Sequence, residues 1–209
     1  MVSTSASKAF PGFSGVYVLE EPGNSRAFRG NISLSVDDAF AVTRAEKSIA
    51  NVEVRWTMGG RLPEDIIRTT IAAPVLISDR VVELLRSGLF TGWDTYRIHL
   101  FGKEGVPIHG YQGLAVRGRC GPIDNRRSTV VDRIMPGGVF QWWRGIYFDP
   151  ATWDGSDLFT PVGNVGWIFV KEAVKRAFEK AKVRNASFTP LDQVERMKFS
   201  EDLEGPHRR

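Results

Sequence analysis

The sequence predicts an α+β fold: a mixed, largely antiparallel sheet with two strand–helix units packed on it. Three observations lead there. Several short runs alternate apolar with polar residues, the period of a half-buried strand. Two apolar triplets, Val75-Leu76-Ile77 and Ile168-Phe169-Val170, each run straight into a stretch with helical spacing. Gly and Pro punctuate the remainder too often for long helices.

Taken in order, Val16 to Leu19 is the first strand. Ile32, Leu34 and Val36 alternate with Ser33 and Ser35, and Val52, Val54 and Trp56 alternate with Glu53 and Arg55, so both runs predict strands. Asp37 to Ile49 between them is a weak helix or loop. Pro63-Glu64-Asp65 can open a short helix, because proline and acids both suit a first turn. Val75 to Ile77 is a buried strand. Ser78 then caps a helix from Asp79 to about Ser87 that Gly88 stops, with Val81, Leu84 and Leu85 on one face.

Tyr96 to Phe101 reads as one strand, Gly102 to Gly105 as a turn and Leu114 to Val116 as a strand. Gly118, Gly121 and Pro122 break regular structure. Thr129 to Val131 and Val139 to Phe148 are strands around the turn Met135-Pro136-Gly137-Gly138. In the last helix Val170, Ala173, Val174, Ala177, Phe178 and Ala181 share one side, and Glu172 has Arg176 four residues on. Aligning Ser78 with Lys171 brings Val81 onto Val174 and Leu85 onto Phe178. That match leaves open a pseudo-symmetric arrangement of the two units.

The 209 residues suit a single domain, residues 1–209, with 1–60 as an N-terminal elaboration. Hydrophobic residues make up 42%, enough for a sizeable core. No run reaches the roughly 20 apolar residues that span a bilayer, so no membrane partner is expected. Met1 to Lys8 lacks the apolar centre of a signal peptide, and Cys120, the only cysteine, cannot form an intramolecular disulfide. Both point to the cytoplasm. The net charge is +4, but the basic residues Arg126-Arg127 and Arg208-Arg209 are pairs rather than blocks, so a nucleic-acid partner is not expected.

Few residues suggest chemistry. Cys120, flanked by Gly118-Arg119 and Gly121-Pro122, could be an exposed nucleophile with His99 or His109 as base and Asp124 orienting it. This is the enzyme reading, a small hydrolase or transferase. His207 is the third histidine, and no pair of histidines has metal-ligand spacing, so neither metal nor cofactor is expected. Asp154-Gly155-Ser156-Asp157 lacks the distal glutamate of a calcium loop and reads as a turn whose aspartates cap amides. Gln141-Trp142-Trp143-Arg144 puts two tryptophans on opposite faces of a strand, so that an exposed one beside Arg144 would suit a partner-binding surface.

A family resemblance rests on short motifs. They are Ser78-Asp79-Arg80-Val81 after a strand, Leu114-Ala115-Val116 with Ile123-Asp124 and Ser128, Trp153-Asp154-Gly155-Ser156-Asp157-Leu158-Phe159, and Ile168-Phe169-Val170 with a helix and Phe188-Thr189-Pro190-Leu191. This order resembles the Imm11 (DUF1629) family of bacterial immunity proteins over residues 74–191. The family commonly has a serine opening its second helix, where this chain has Lys171. The resemblance implies a non-catalytic protein that binds a cognate polymorphic toxin and blocks it by steric occlusion. It carries over no catalytic residue and makes Asp154 and Asp157 turn formers. Because this chain is basic, the toxin surface implied is neutral or acidic.

Overall fold

The computed structural model describes residues 13–22, 26–70, 74–164 and 166–198. Met1 to Lys8, His207 and Arg208-Arg209 lie outside the described residues.

In chain order the elements are β1 (Val16–Glu20), β2 (Arg29–Ile32), α1 (Val36–Thr43), β3 (Val52–Met58), β4 (Ile66–Arg68), β5 (Val75–Ser78), α2 (Asp79–Ser87), β6 (Trp93–Tyr96), β7 (Ile98–Phe101), β8 (Pro107–Ile108), β9 (Tyr111–Val116), β10 (Gly118–Cys120), β11 (Thr129–Met135), β12 (Gly138–Arg144), β13 (Leu158–Pro161), β14 (Phe169–Lys171), α3 (Glu172–Lys180), β15 (Ser187–Pro190) and β16 (Glu195–Met197). The α+β class holds, with four sheets among the described residues in place of the single one expected. One is five-stranded, β10-β13-β14-β1-β15. Two are four-stranded, β2-β3-β7-β8 and β4-β5-β9-β6. The fourth is three-stranded, β11-β12-β16. All pairings are antiparallel except β10 with β13 and β3 with β7.

The two strand–helix units belong to different sheets, β5-α2 to a four-stranded one and β14-α3 to the five-stranded one. They meet in a common core. Val81, Val82 and Leu85 from α2 and Val174 and Phe178 from α3 pack with Ile77, Leu114, Leu158 and Val170. An ion pair ties them together. Arg80 in the first turn of α2 holds Asp65 at 2.5 Å and donates to the Ala181 carbonyl, just past the end of α3, at 2.7 Å. The N-terminal stretch read as an elaboration supplies β1, which lies between β14 and β15, and β2 and β3, which form a sheet with β7.

Several expected boundaries shift for identifiable reasons. Ser35 accepts the Asp38 amide at 3.2 Å and opens α1, so the Ile32–Val36 alternation ends early. Residues 63–65 form no helix, because their carboxylates serve distant segments of the same chain: Glu64 accepts the Phe28 amide and Asp65 the Arg184 amide. Tyr96 to Phe101 is two strands in two sheets, split at Arg97. Val170 belongs to β14, and the stripe of α3 that reaches the core is Val174 and Phe178, with Ala173 exposed. The Glu172–Arg176 pair forms at 2.8 Å. No helix of the described residues is long and apolar enough to cross a membrane.

Candidate functional site

β11 and β12 form a two-stranded arm. Pro136 and Gly137 make its turn, and Gly137 takes the positive φ of 105° that the reversal requires. Its base is anchored: the Ser128 hydroxyl donates to the Gly145 carbonyl at 2.8 Å, and the amides of Gly145 and Ile146 reach Val194 and Leu191. β16 covers β12 only along Trp142–Arg144. From Asp132 to Gln141 the ribbon has solvent around it, and most of its side chains are exposed.

Cross-strand partners share a face. The pairs Val130–Trp143, Asp132–Gln141 and Ile134–Val139 therefore line one side, and Val131–Trp142, Arg133–Phe140 and Thr129–Arg144 the other. Ile134 is 90% exposed and Val139 65%, with Val130, Met135 and Phe140 also exposed. Charges edge this surface. Glu195 accepts from Arg133 and from Arg144, the latter at 2.8 Å, and these hydrogen bonds, Arg133 first, hold its carboxyl below the usual range against the pull of burial. Lys198 lies 4.8 Å from the Trp143 ring centre. Arg133, Arg144, Arg196 and Lys198 outnumber Asp132 and Glu195 here. The surface is apolar and mildly basic.

The predicted Trp142, Trp143 and Arg144 all lie at the inner end of this arm. Both tryptophans are half-buried under β16, and the Trp142 indole nitrogen is buried without a hydrogen-bond partner. Apart from Val130, opposite Trp143, the exposed apolar residues are farther out. Ile134, Val139 and Phe140 match no binding motif in the sequence, although adjacent apolar residues at Val130-Val131 and Ile134-Met135 leave neither face of the strand polar.

The cysteine constellation does not assemble. Cys120 on β10 is only 1% exposed, within an aromatic core of Phe148, Phe159 and Phe169. Burial, with the nearby Asp154 carboxylate adding to it, pushes its thiol up to about 12, so no thiolate is present at neutral pH. The flanking glycines explain the burial. A Cβ on Gly118 would come 2.2 Å from the Leu158 carbonyl oxygen, and one on Gly121 2.5 Å from the Thr152 hydroxyl, so they permit close packing rather than exposure. His99 and His109 are exposed and line a cleft of about 630 Å³ with Asp79, Arg97 and Tyr111, which Cys120 does not reach. Asp124 is taken up by Arg126, whose hydrogen bond lowers its pKa. Among the described residues no group of three His, Cys, Asp or Glu side chains is placed to hold a metal ion.

The remaining predicted residues lock loops. Ser78 accepts the Val81 amide at 3.4 Å and donates to Asp65 at 3.0 Å. Asp154 accepts the Arg119 amide at 2.8 Å and the Ser156 amide at 3.0 Å. Burial raises its pKa, but the Ser156 and Arg119 hydrogen bonds outweigh that and leave it below the usual value. Asp157 accepts both the amide and the hydroxyl of Thr91 at 2.9 Å. Asp65, which joins Ser78, Arg80 and the Arg184 amide, has no local signature in the sequence because its partners are distant along the chain.

No family model matches this chain, and no curated protein matches it.

Proposed function

We propose that this chain is a cytoplasmic binding protein that neutralises another protein, an immunity-type inhibitor acting by occlusion, with the β11–β12 arm as its docking surface. The observation that carries the reading is the exposed apolar ribbon from Val130 to Phe140, set on a firmly packed body. A soluble chain keeps such a surface where a partner covers it. The resemblance to Imm11 immunity proteins supplies the kind of partner, a bacterial toxin. The excess of Arg and Lys at the inner end of the arm, from Arg196 and Lys198, favours a toxin surface that is apolar and acidic where it meets that end. An interface of standard size buries roughly 800 Å² on each side.

The enzyme reading loses its nucleophile with the burial of Cys120. Co-expression with the product of the adjacent gene tests the proposal. That product is expected to be toxic alone, harmless with this chain, and to co-elute with it; Ile134→Asp is expected to abolish co-elution. A harmless product, or a complex indifferent to Ile134→Asp, sinks the reading.

A further inference from the structure

We infer that the partner docks by adding an extended strand to the free edge of β11, with a cationic side chain opposite Asp132; this rests on the docking role proposed for the arm. β11 is an outer strand of its sheet, and its far edge has no strand partner among the described residues. The ladder shows which main-chain groups are free. The Lys198 amide donates to the Gln141 carbonyl at 3.1 Å, so the main-chain groups of Gln141 face β16. Asp132 stands opposite Gln141. In an antiparallel ladder, opposed residues either bond each other or both face away. Asp132 therefore turns its N–H and C=O outward, and by the two-residue period so do Val130 and Ile134. Three consecutive donor–acceptor sets thus line the open edge, in register with the exposed side chains of Val130 and Ile134 on one face.

Such an edge is a template for another strand. Its chemistry says which kind. A second copy of this chain, fully overlapped about a two-fold axis, would pair Val130 with Ile134 and set Asp132 against its own symmetry mate. Like charges directly opposite each other oppose pairing. A strand from another protein with the alternation apolar, Lys or Arg, apolar meets Ile134, Asp132 and Val130 without that conflict. Arg133 on the opposite face is already engaged by Glu195, and Lys198 on the Asp132 face lies inward, beside Trp143 and Gln141, so Asp132 is the charge at the open edge.

The test uses the full chain and a synthetic nine-residue peptide alternating valine and threonine around a central lysine, with a central-glutamate peptide as control. Hydrogen exchange of the Val130, Asp132 and Ile134 amides is expected to slow by about tenfold or more at saturating lysine peptide. The glutamate peptide is expected to bind several-fold more weakly, and Asp132→Lys to reverse that order. Unchanged exchange at millimolar lysine peptide, or an order that Asp132→Lys leaves alone, overturns strand addition. A toxin complex that is lost with Ile134→Asp, yet leaves these amides unprotected, also overturns it while the docking reading stands.

Discussion

The shared core of the two helices and the β11–β12 arm are built from the same kinds of residue. Val81, Leu85, Val174 and Phe178 in the core are almost wholly buried, while Val130, Ile134, Val139 and Phe140 on the arm are exposed. What separates them is cover. Each helix has a sheet beneath it and the other helix beside it, whereas the arm has β16 across its inner end alone. Apolar content sets how much surface can be buried, and topology decides which part is buried within the chain. The same kinds of side chain are buried in one region and left exposed in the other.

The largest expected contrast comes from deleting apolar groups in each region. Phe178→Asp places a charge in the common core and is expected to leave the protein unfolded or aggregated. Phe159→Ala is expected to cost about 3–5 kcal/mol, read from urea unfolding. An unchanged melting temperature for either would mean that the core is misplaced.

Asp65→Asn tests the joint between the units. Loss of the carboxylate is expected to cost about 1–3 kcal/mol, less than a fully buried pair because Arg80 is half exposed. The variant also sharpens the pH dependence. Burial raises the Asp65 pKa, but Arg80, the Arg184 amide and Ser78 outweigh it and hold the carboxyl below its ordinary value. Its contribution is therefore present above the unfolded value of about 3.9 and is lost as pH falls through the lower folded value. Unfolding midpoints measured from neutral pH downward are expected to fall more steeply for the wild type than for Asp65→Asn. Parallel acid limbs would remove Asp65 from this role.

Gly113→Ala is a smaller local probe. A Cβ there would lie 2.1 Å from the Tyr96 ring, which packs over the glycine across the β6–β9 pair. The expected cost is about 1–3 kcal/mol, and it should be smaller when measured in a Tyr96→Ala background. Cys120 gives a readout without a substitution. Its thiol is expected to react with a disulfide reagent at mildly alkaline pH only as fast as the protein unfolds, and rapid labelling of the folded chain would contradict its burial.

The legible parts of this fold are those whose cause is local. Ser78 ahead of Asp79, with Val81 and Leu85 one turn apart, marks the β5–α2 unit from a dozen residues. Pro136-Gly137 marks the arm's turn just as directly. The parts that local sequence does not reveal depend on distant partners. Tyr96, Ile98 and Leu100 keep strand alternation through Arg97, and nothing nearby tells that β6 pairs with β9 while β7 pairs with β3. Gly118 and Gly121 look like an exposed loop around Cys120 until Leu158 and Thr152 are seen against them. At the candidate site the alternation of a strand places one of Trp142 and Trp143 on an outer face, but β16, from a segment more than fifty residues later, covers both. The exposed surface fell to Ile134 and Val139.

The central claim is that the arm serves recognition and contributes little to folding. The most direct measurement compares the double variant Ile134→Asp, Val139→Asp with the wild type in urea unfolding and in toxin co-elution. The expected result is a stability within about 0.5 kcal/mol of wild type together with loss of the complex. A clear loss of stability, or a complex that survives, would contradict it.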